Sequence, residues 1–170
     1  LTLRVSGESF QVARITGLTR LQALDISLEH NRKPVDLSAL TQLTFLNTGR
    51  LLVSAPPPSL VDCTMAVMAT ADLSPLTRMT RLSVQIRAGA RVIFPTQLKV
   101  LDVAGGSLMK SDVQHVALEE LYGIALGLSL RVLERLPRTL RKLGGIHRHR
   151  PELQEEAKAL LPLLEIENDS

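Results

Sequence analysis

One leucine pattern recurs along nearly the whole chain of 170 residues. Residues 36–46 align with residues 72–82 after a shift of 36 positions, with seven of eleven residues identical. A partial copy lies at 16–26, and a second variety that begins with proline recurs at 57–65, 95–103 and 137–143. Because one such unit cannot bury its apolar side alone, a recurrence of this length restricts the fold to a stack of similar units.

The last leucine position of each motif, called the anchor here, sets the spacing of the stack. The anchors are Leu3, Leu24, Leu46, Cys63, Leu82, Leu101, Leu121 and Leu143, separated by 17 to 22 residues. Most anchors are followed two positions later by another apolar residue, which is the alternation of a short half-buried strand. We therefore predict about eight short parallel strands that share one core.

The two spacings, Leu-x-x-Leu-x-x-Leu-x-apolar and Pro-x-x-Leu-x-x-Leu-x-Val, resemble those of the leucine-rich-repeat family over almost the whole chain. The first variety is similar to the 22-residue repeats of phosphatase regulators and bacterial internalins, and the second to the short repeats of bacterial effector ubiquitin ligases. The resemblance implies an α/β solenoid: a right-handed coil with a parallel concave β-sheet and an irregular or short-helical convex side. The asparagine or cysteine that the family places in the turn after the strand is absent here, for example at Glu8 and Glu29.

The end of the chain differs from the rest. We predict that residues 1–150 form the solenoid, its first edge open or continued upstream, and that 151–170 form a C-terminal capping helix and acidic tail. Pro151 and Glu152 suit the first turn of a helix, and Ala157 and Leu161 share one side of it. The charge follows the same division, since residues 1–150 carry +8 and residues 151–170 carry −5.

The composition favours an intracellular, cytoplasmic protein. Cys63 is the only cysteine, so the chain cannot form the internal disulfides that small secreted domains usually need. Its apolar stretches are shorter than the roughly 18 residues of a membrane span, so we expect no membrane contact.

Neither a catalytic nor a cofactor motif stands out. The histidines are scattered, His147 and His149 lack further metal ligands, and Cys63 occupies an anchor where burial is expected. The paired glycines, Gly105-Gly106 and Gly144-Gly145, lack the order of phosphate-binding loops and are predicted to be turn residues. We therefore predict that the chain is not an enzyme and uses no cofactor or metal.

The predicted concave face is the best candidate for a function. Eight strands spaced about 4.8 Å apart span roughly 34 Å, enough for a standard protein interface. The strongest candidates for a large contribution to binding energy are Phe45, Arg81 and Tyr122, because aromatic and arginine side chains supply much of the binding energy of protein interfaces. The predicted partner-binding residues are Asp25, Phe45, Asn47, Asp62, Arg81, Ser83, Gln85, Asp102, Glu120 and Tyr122. The expected function is a non-catalytic protein-protein interaction module or scaffold within a larger protein or assembly.

Two alternatives remain open. The repeats could be the substrate-recognition part of an enzyme complex, such as a ubiquitin ligase or a phosphatase regulator. They could also belong to a ribonucleoprotein, because a basic cluster suits phosphate contacts. That cluster consists of Arg138, Arg141, Lys142, Arg148 and Arg150. The lack of aromatic residues among them makes nucleic acid the less favoured partner.

Overall fold

A computed structural model describes residues 1–7, 15, 17–28, 34–49, 52–104, 113–123, 133–144 and 151–167. Short strands dominate this part of the chain. In chain order the elements are β1 (Thr2–Gly7), β2 (Ala23–Leu28), β3 (Val35–Asp36), β4 (Phe45–Asn47), β5 (Val53–Ala55), β6 (Asp62–Val67), β7 (Ala71–Asp72), β8 (Arg81–Ile86), β9 (Val92–Ile93), β10 (Val100–Ala104), β11 (Glu120–Tyr122), β12 (Lys142–Gly144), α1 (Pro151–Leu160) and β13 (Glu165–Glu167).

Nine of the strands form one long sheet in the order β1-β2-β4-β6-β8-β10-β11-β12-β13. Every neighbouring pair in it is parallel. A parallel pair requires the chain to cross back between its strands, and here each crossing leads to the next strand of the sheet. The chain is therefore a parallel β-solenoid with little helix, as the repeat predicted at the level of architecture.

The anchors lie in register across the sheet. Leu3 pairs with Leu24, Leu24 with Leu46, and the row continues without a shift to Leu121 and Leu143. All anchors from the second to the eighth are fully buried. The predicted stacking of the anchors is confirmed, and these side chains form the centre of a single core.

The solenoid has one strand more than the sequence predicted. The predicted helix forms as α1, and Ala157 and Leu161 are buried, but the chain then adds β13 beside β12. Ile166 pairs with Leu143 and extends the anchor row beyond residue 150. The strand was missed because the alternation of Leu164 and Ile166 with glutamates covers only four residues and lies in the segment predicted as the end of the helix and an acidic tail. By its position, α1 connects the last two strands.

The connectors between the long strands contain elements that the sequence did not reveal. Strand β3 pairs with β5, and β7 pairs with β9, so two small parallel sheets lie among the connectors. These strands have only two or three residues, too few to show an alternation.

The repeated Asp-Leu-Ser sequence forms the same turn twice. Asp36 Oδ1 accepts a hydrogen bond from the Ser38 N–H at 2.8 Å, and Asp72 Oδ1 accepts one from the Ser74 N–H at 2.9 Å. Hydrogen bonds from the side chain and then from the backbone N–H of the serine lower the pKa of each aspartate, because they stabilise the carboxylate. Identical residues 36 positions apart thus fix identical local geometry.

Candidate functional site

The side of the long sheet that points away from the core is called the open face here, and it corresponds to the face predicted to be concave. On each strand it carries the residues just before and just after the anchor, because successive side chains point to opposite faces. Strand β8 shows the pattern: Leu82 and Val84 are buried, whereas Arg81 and Gln85 are exposed. With nine strands spaced about 4.8 Å apart, the open face is about 38 Å long.

All ten predicted partner-binding residues lie on strands of this sheet at positions of the open face. Seven of them come together around one open depression of about 500 Å³. These are Phe45, Asp62, Arg81, Ser83, Asp102, Glu120 and Tyr122. The other three, Asp25, Asn47 and Gln85, lie on β2, β4 and β8 outside the depression.

Charged side chains interact between neighbouring strands of the open face. The three ion pairs are Arg4–Asp25 at 3.7 Å, Arg81–Asp62 at 4.0 Å and Lys142–Glu120 at 3.9 Å. Exposed pairs of this kind contribute only about 0.2–1 kcal/mol each to stability. Ser83 also donates a hydrogen bond of 3.2 Å to Asp102 on the next strand. These contacts hold the polar side chains in a fixed arrangement without adding much to the stability of the fold.

Tyr122 lies at the C-terminal end of the depression. Its hydroxyl donates a hydrogen bond of 3.0 Å to Glu120 Oε2, two residues earlier on the same strand. Its ring extends over Gly144 on the next strand, where an added Cβ would lie 2.6 Å from Tyr122 Cδ1. A side chain at position 144 would therefore displace the ring. The sequence predicted Gly144 only as a turn residue, although its position one residue after the Leu143 anchor places it directly beside Tyr122.

The environment of the depression shifts two pKa values upward. Burial, the hydrogen bond to Glu120 and the charges of Glu120 and Glu167 raise the pKa of Tyr122 to about 12, against the opposing effect of Arg81. Burial raises the pKa of Asp62, and the nearby Arg81 partly offsets this increase. Both shifts arise because the charged form loses solvent at the sheet surface.

The predicted basic cluster divides into separate parts. Lys142 lies on the open face beside Glu120, whereas Arg138 and Arg141 are exposed and line another depression of about 250 Å³. The last residue of α1, Leu160, and the three residues that follow the helix, Leu161 to Leu163, line the same depression. Arg148 and Arg150 lie outside the described residues, as do His147 and His149.

Reactive side chains are few in the part of the chain that the structure describes. The Cys63 thiol is buried, and burial together with the nearby Asp62 charge raises its pKa to about 12. It is therefore protonated at neutral pH and packs as an apolar side chain. Among the described residues, no group of three or more His, Cys, Asp or Glu side chains could hold a metal ion. Within the same ranges, no helix has the length and apolar character needed to cross a membrane.

Comparison with known proteins adds no relative. No family model matches the chain, and no curated protein matches it at a significant level. The function is therefore argued from the geometry of the open face.

Proposed function

We propose that this chain is a leucine-rich-repeat type of interaction module that holds a protein partner on its open face, within a larger protein or assembly. One observation supports this function above all. Seven side chains from five neighbouring strands of one continuous sheet line a single open depression. The leucine-rich-repeat assignment is supported by the unshifted anchor row at intervals of about twenty residues.

The open face has the composition that protein interfaces favour. The side chain of Arg81 is 62% exposed, and Phe45 keeps 37% of its surface exposed although it lies within the sheet. Tyr122 is partly buried at the other end of the depression. Tyrosine and arginine are enriched among the residues that dominate binding energy, so a partner that covers all three can gain substantial affinity. A face about 38 Å long also accommodates an interface of about 800 Å² per partner.

Site-specific photo-crosslinking tests this proposal. A benzophenone amino acid is placed at Phe45 or Gln85 on the open face, and at Thr77 or Arg78 as matched exposed controls in the connector before β8. Each variant of the intact protein is irradiated in an extract of the cells from which the sequence comes. We expect the same protein to crosslink to positions 45 and 85 and to be absent at 77 and 78.

Equal crosslinking at all four positions, or crosslinking confined to positions 77 and 78, would contradict a partner on the open face. Far-ultraviolet circular dichroism of each variant checks that the fold is retained.

A further inference from the structure

The open face has a charge opposite to that of the whole chain. The chain carries a net charge of +3. The residues directly before and directly after each anchor form two rows on the open face. These rows contain six carboxylates and three cations, which gives a net charge of −3. The carboxylates are those of Asp25, Asp62, Asp102, Glu120, Glu165 and Glu167, and the cations are Arg4, Arg81 and Lys142. A partner surface that complements this face is therefore basic.

The negative charge is concentrated at one end of the open face. Each of the three cations lies beside a carboxylate of the neighbouring strand. Among the described residues, the open-face carboxylates outside these pairs are Asp102, Glu165 and Glu167, all on strands β10 and β13. Tyr122 lies between those two strands.

The register places Tyr122 between two of these carboxylates in a single row. Asp102 is its direct neighbour on β10, and on the other side Gly144 is followed by Glu167. Because Gly144 has no side chain, the tyrosine ring extends over it toward β13. The distance from Asp102 to Tyr122 is about one strand spacing of 4.8 Å, and that from Tyr122 to Glu167 about two. The result is an aromatic ring with a carboxylate on either side.

We propose that Tyr122, Asp102 and Glu167 bind an arginine side chain from a basic segment of the protein partner. The planar guanidinium of arginine can stack on an aromatic ring while its N–H groups, which lie in the guanidinium plane, donate hydrogen bonds to carboxylates beside the ring. The ammonium of lysine is a compact charge that cannot stack in this way. The rest of the basic segment lies over the same end of the open face, where Glu165 on β13 also stands outside the ion pairs. This inference rests on the proposed function, because it names the chemistry of the partner that the open face holds.

The sequence provides an internal probe for this site. Tyr122 is the only tyrosine of the chain, and there is no tryptophan, so tyrosine fluorescence reports on the site alone. The ligand probe is a nine-residue peptide of alternating arginine and glycine, compared with peptides that have lysine, glutamine or glutamate in place of arginine. The affinity is measured at low salt from the fluorescence anisotropy of a fluorescein-labelled peptide. Binding at Tyr122 is detected from the change in tyrosine fluorescence when the unlabelled peptide is added.

We expect the arginine peptide to bind more tightly than the lysine peptide and to change the tyrosine fluorescence to saturation, with an affinity that falls as salt is added. Asp102→Asn and Glu167→Gln should each weaken binding at least about fivefold, since one charge-assisted contact is lost. The matched controls are Glu155→Gln and Glu156→Gln, which remove the same charge from exposed positions on α1. They should change the affinity less than about twofold.

Equal binding of the arginine and glutamine peptides would overturn the arginine site, as would an equal effect of Glu155→Gln and Glu167→Gln. If arginine peptides fail while positions 45 and 85 crosslink one protein, the arginine site is wrong and the proposed function stands. If arginine peptides bind at Tyr122 while the open face crosslinks nothing, the cation site stands and the proposed function is wrong.

Discussion

At the scale of single residues, the surroundings of Tyr122 are formed by residues on three strands. Glu120 on its own strand accepts the hydroxyl hydrogen bond, Gly144 leaves space for the ring, and Glu167 adds a nearby negative charge. Burial, the hydrogen bond to Glu120 and the nearby carboxylates all oppose ionisation of the phenol and raise its pKa. The surroundings therefore hold the tyrosine in place and also raise the pH at which it ionises.

The ionisation of this tyrosine is directly measurable, because it is the only one in the chain. The ultraviolet absorbance of the folded protein should titrate with a midpoint near pH 12, above the ordinary value of 10.0. Since the folded pKa is the higher one, the stability that this group contributes is present below pH 10 and lost as the pH rises toward 12. Glu120→Gln should move the midpoint toward 10, whereas Glu155→Gln, on α1, should leave it unchanged. A wild-type midpoint at 10 would show that Glu120 does not hold the phenol.

At the scale of the element, each strand of the long sheet divides its residues between two tasks. In β8 the anchor Leu82 is fully buried and contributes to the core, whereas Arg81 and Gln85 remain exposed on the open face. The stability of the fold and the proposed binding therefore depend on different residues of this six-residue strand. A substitution can change one property with little effect on the other.

This division predicts opposite outcomes for two truncations within β8. Leu82→Ala should lower the free energy of unfolding by about 2–5 kcal/mol, because it removes a fully buried side chain and leaves a cavity. Gln85→Ala, at an exposed position of the same strand, should change it by less than about 0.5 kcal/mol. Urea denaturation followed by circular dichroism measures both values. Similar losses in the two variants would mean that β8 is not divided in this way.

The sequence predicted those elements whose residues recur. Eight strands, their common register and the ten positions on the open face followed from the anchors, because burial of a leucine every twenty or so residues leaves a clear pattern. Strand β13 did not, since the alternation of Leu164 and Ile166 with glutamates covers only four residues and directly follows the predicted helix. The space that Gly144 leaves for Tyr122 also required coordinates, because a missing side chain gives no periodic signal. Whether the open face binds a partner stays a prediction.

At the scale of the whole molecule, each strand of the long sheet pairs only with the strands beside it. Each repeat is therefore stabilised mainly by its contacts with the adjacent repeats. The core is nevertheless continuous, with buried residues from Ile15 to Leu164 in one cluster. A local defect should therefore weaken the adjacent repeats first and distant ones less.

Hydrogen exchange can show this gradient. Leu101→Ala, in the fully buried anchor row of β10, should raise amide exchange rates most in β8, β10 and β11. Strands β1 and β2, five and four places away from β10 in the sheet, should be affected least. Exchange measured by NMR or by mass spectrometry of peptides gives the rates strand by strand. A uniform increase over all nine strands would show that the solenoid unfolds as one cooperative unit.

The anchors keep their register although the steps between them range from 17 to 23 residues. The connectors absorb this difference in length, so a codon gained or lost there leaves both the core row and the open face where they were. Two kinds of inherited change are thereby separated: insertions alter the outline of the molecule, while single substitutions at alternate strand positions alter the side chains that the open face presents. A chain built in this way can change the chemistry of its open face without having to refold.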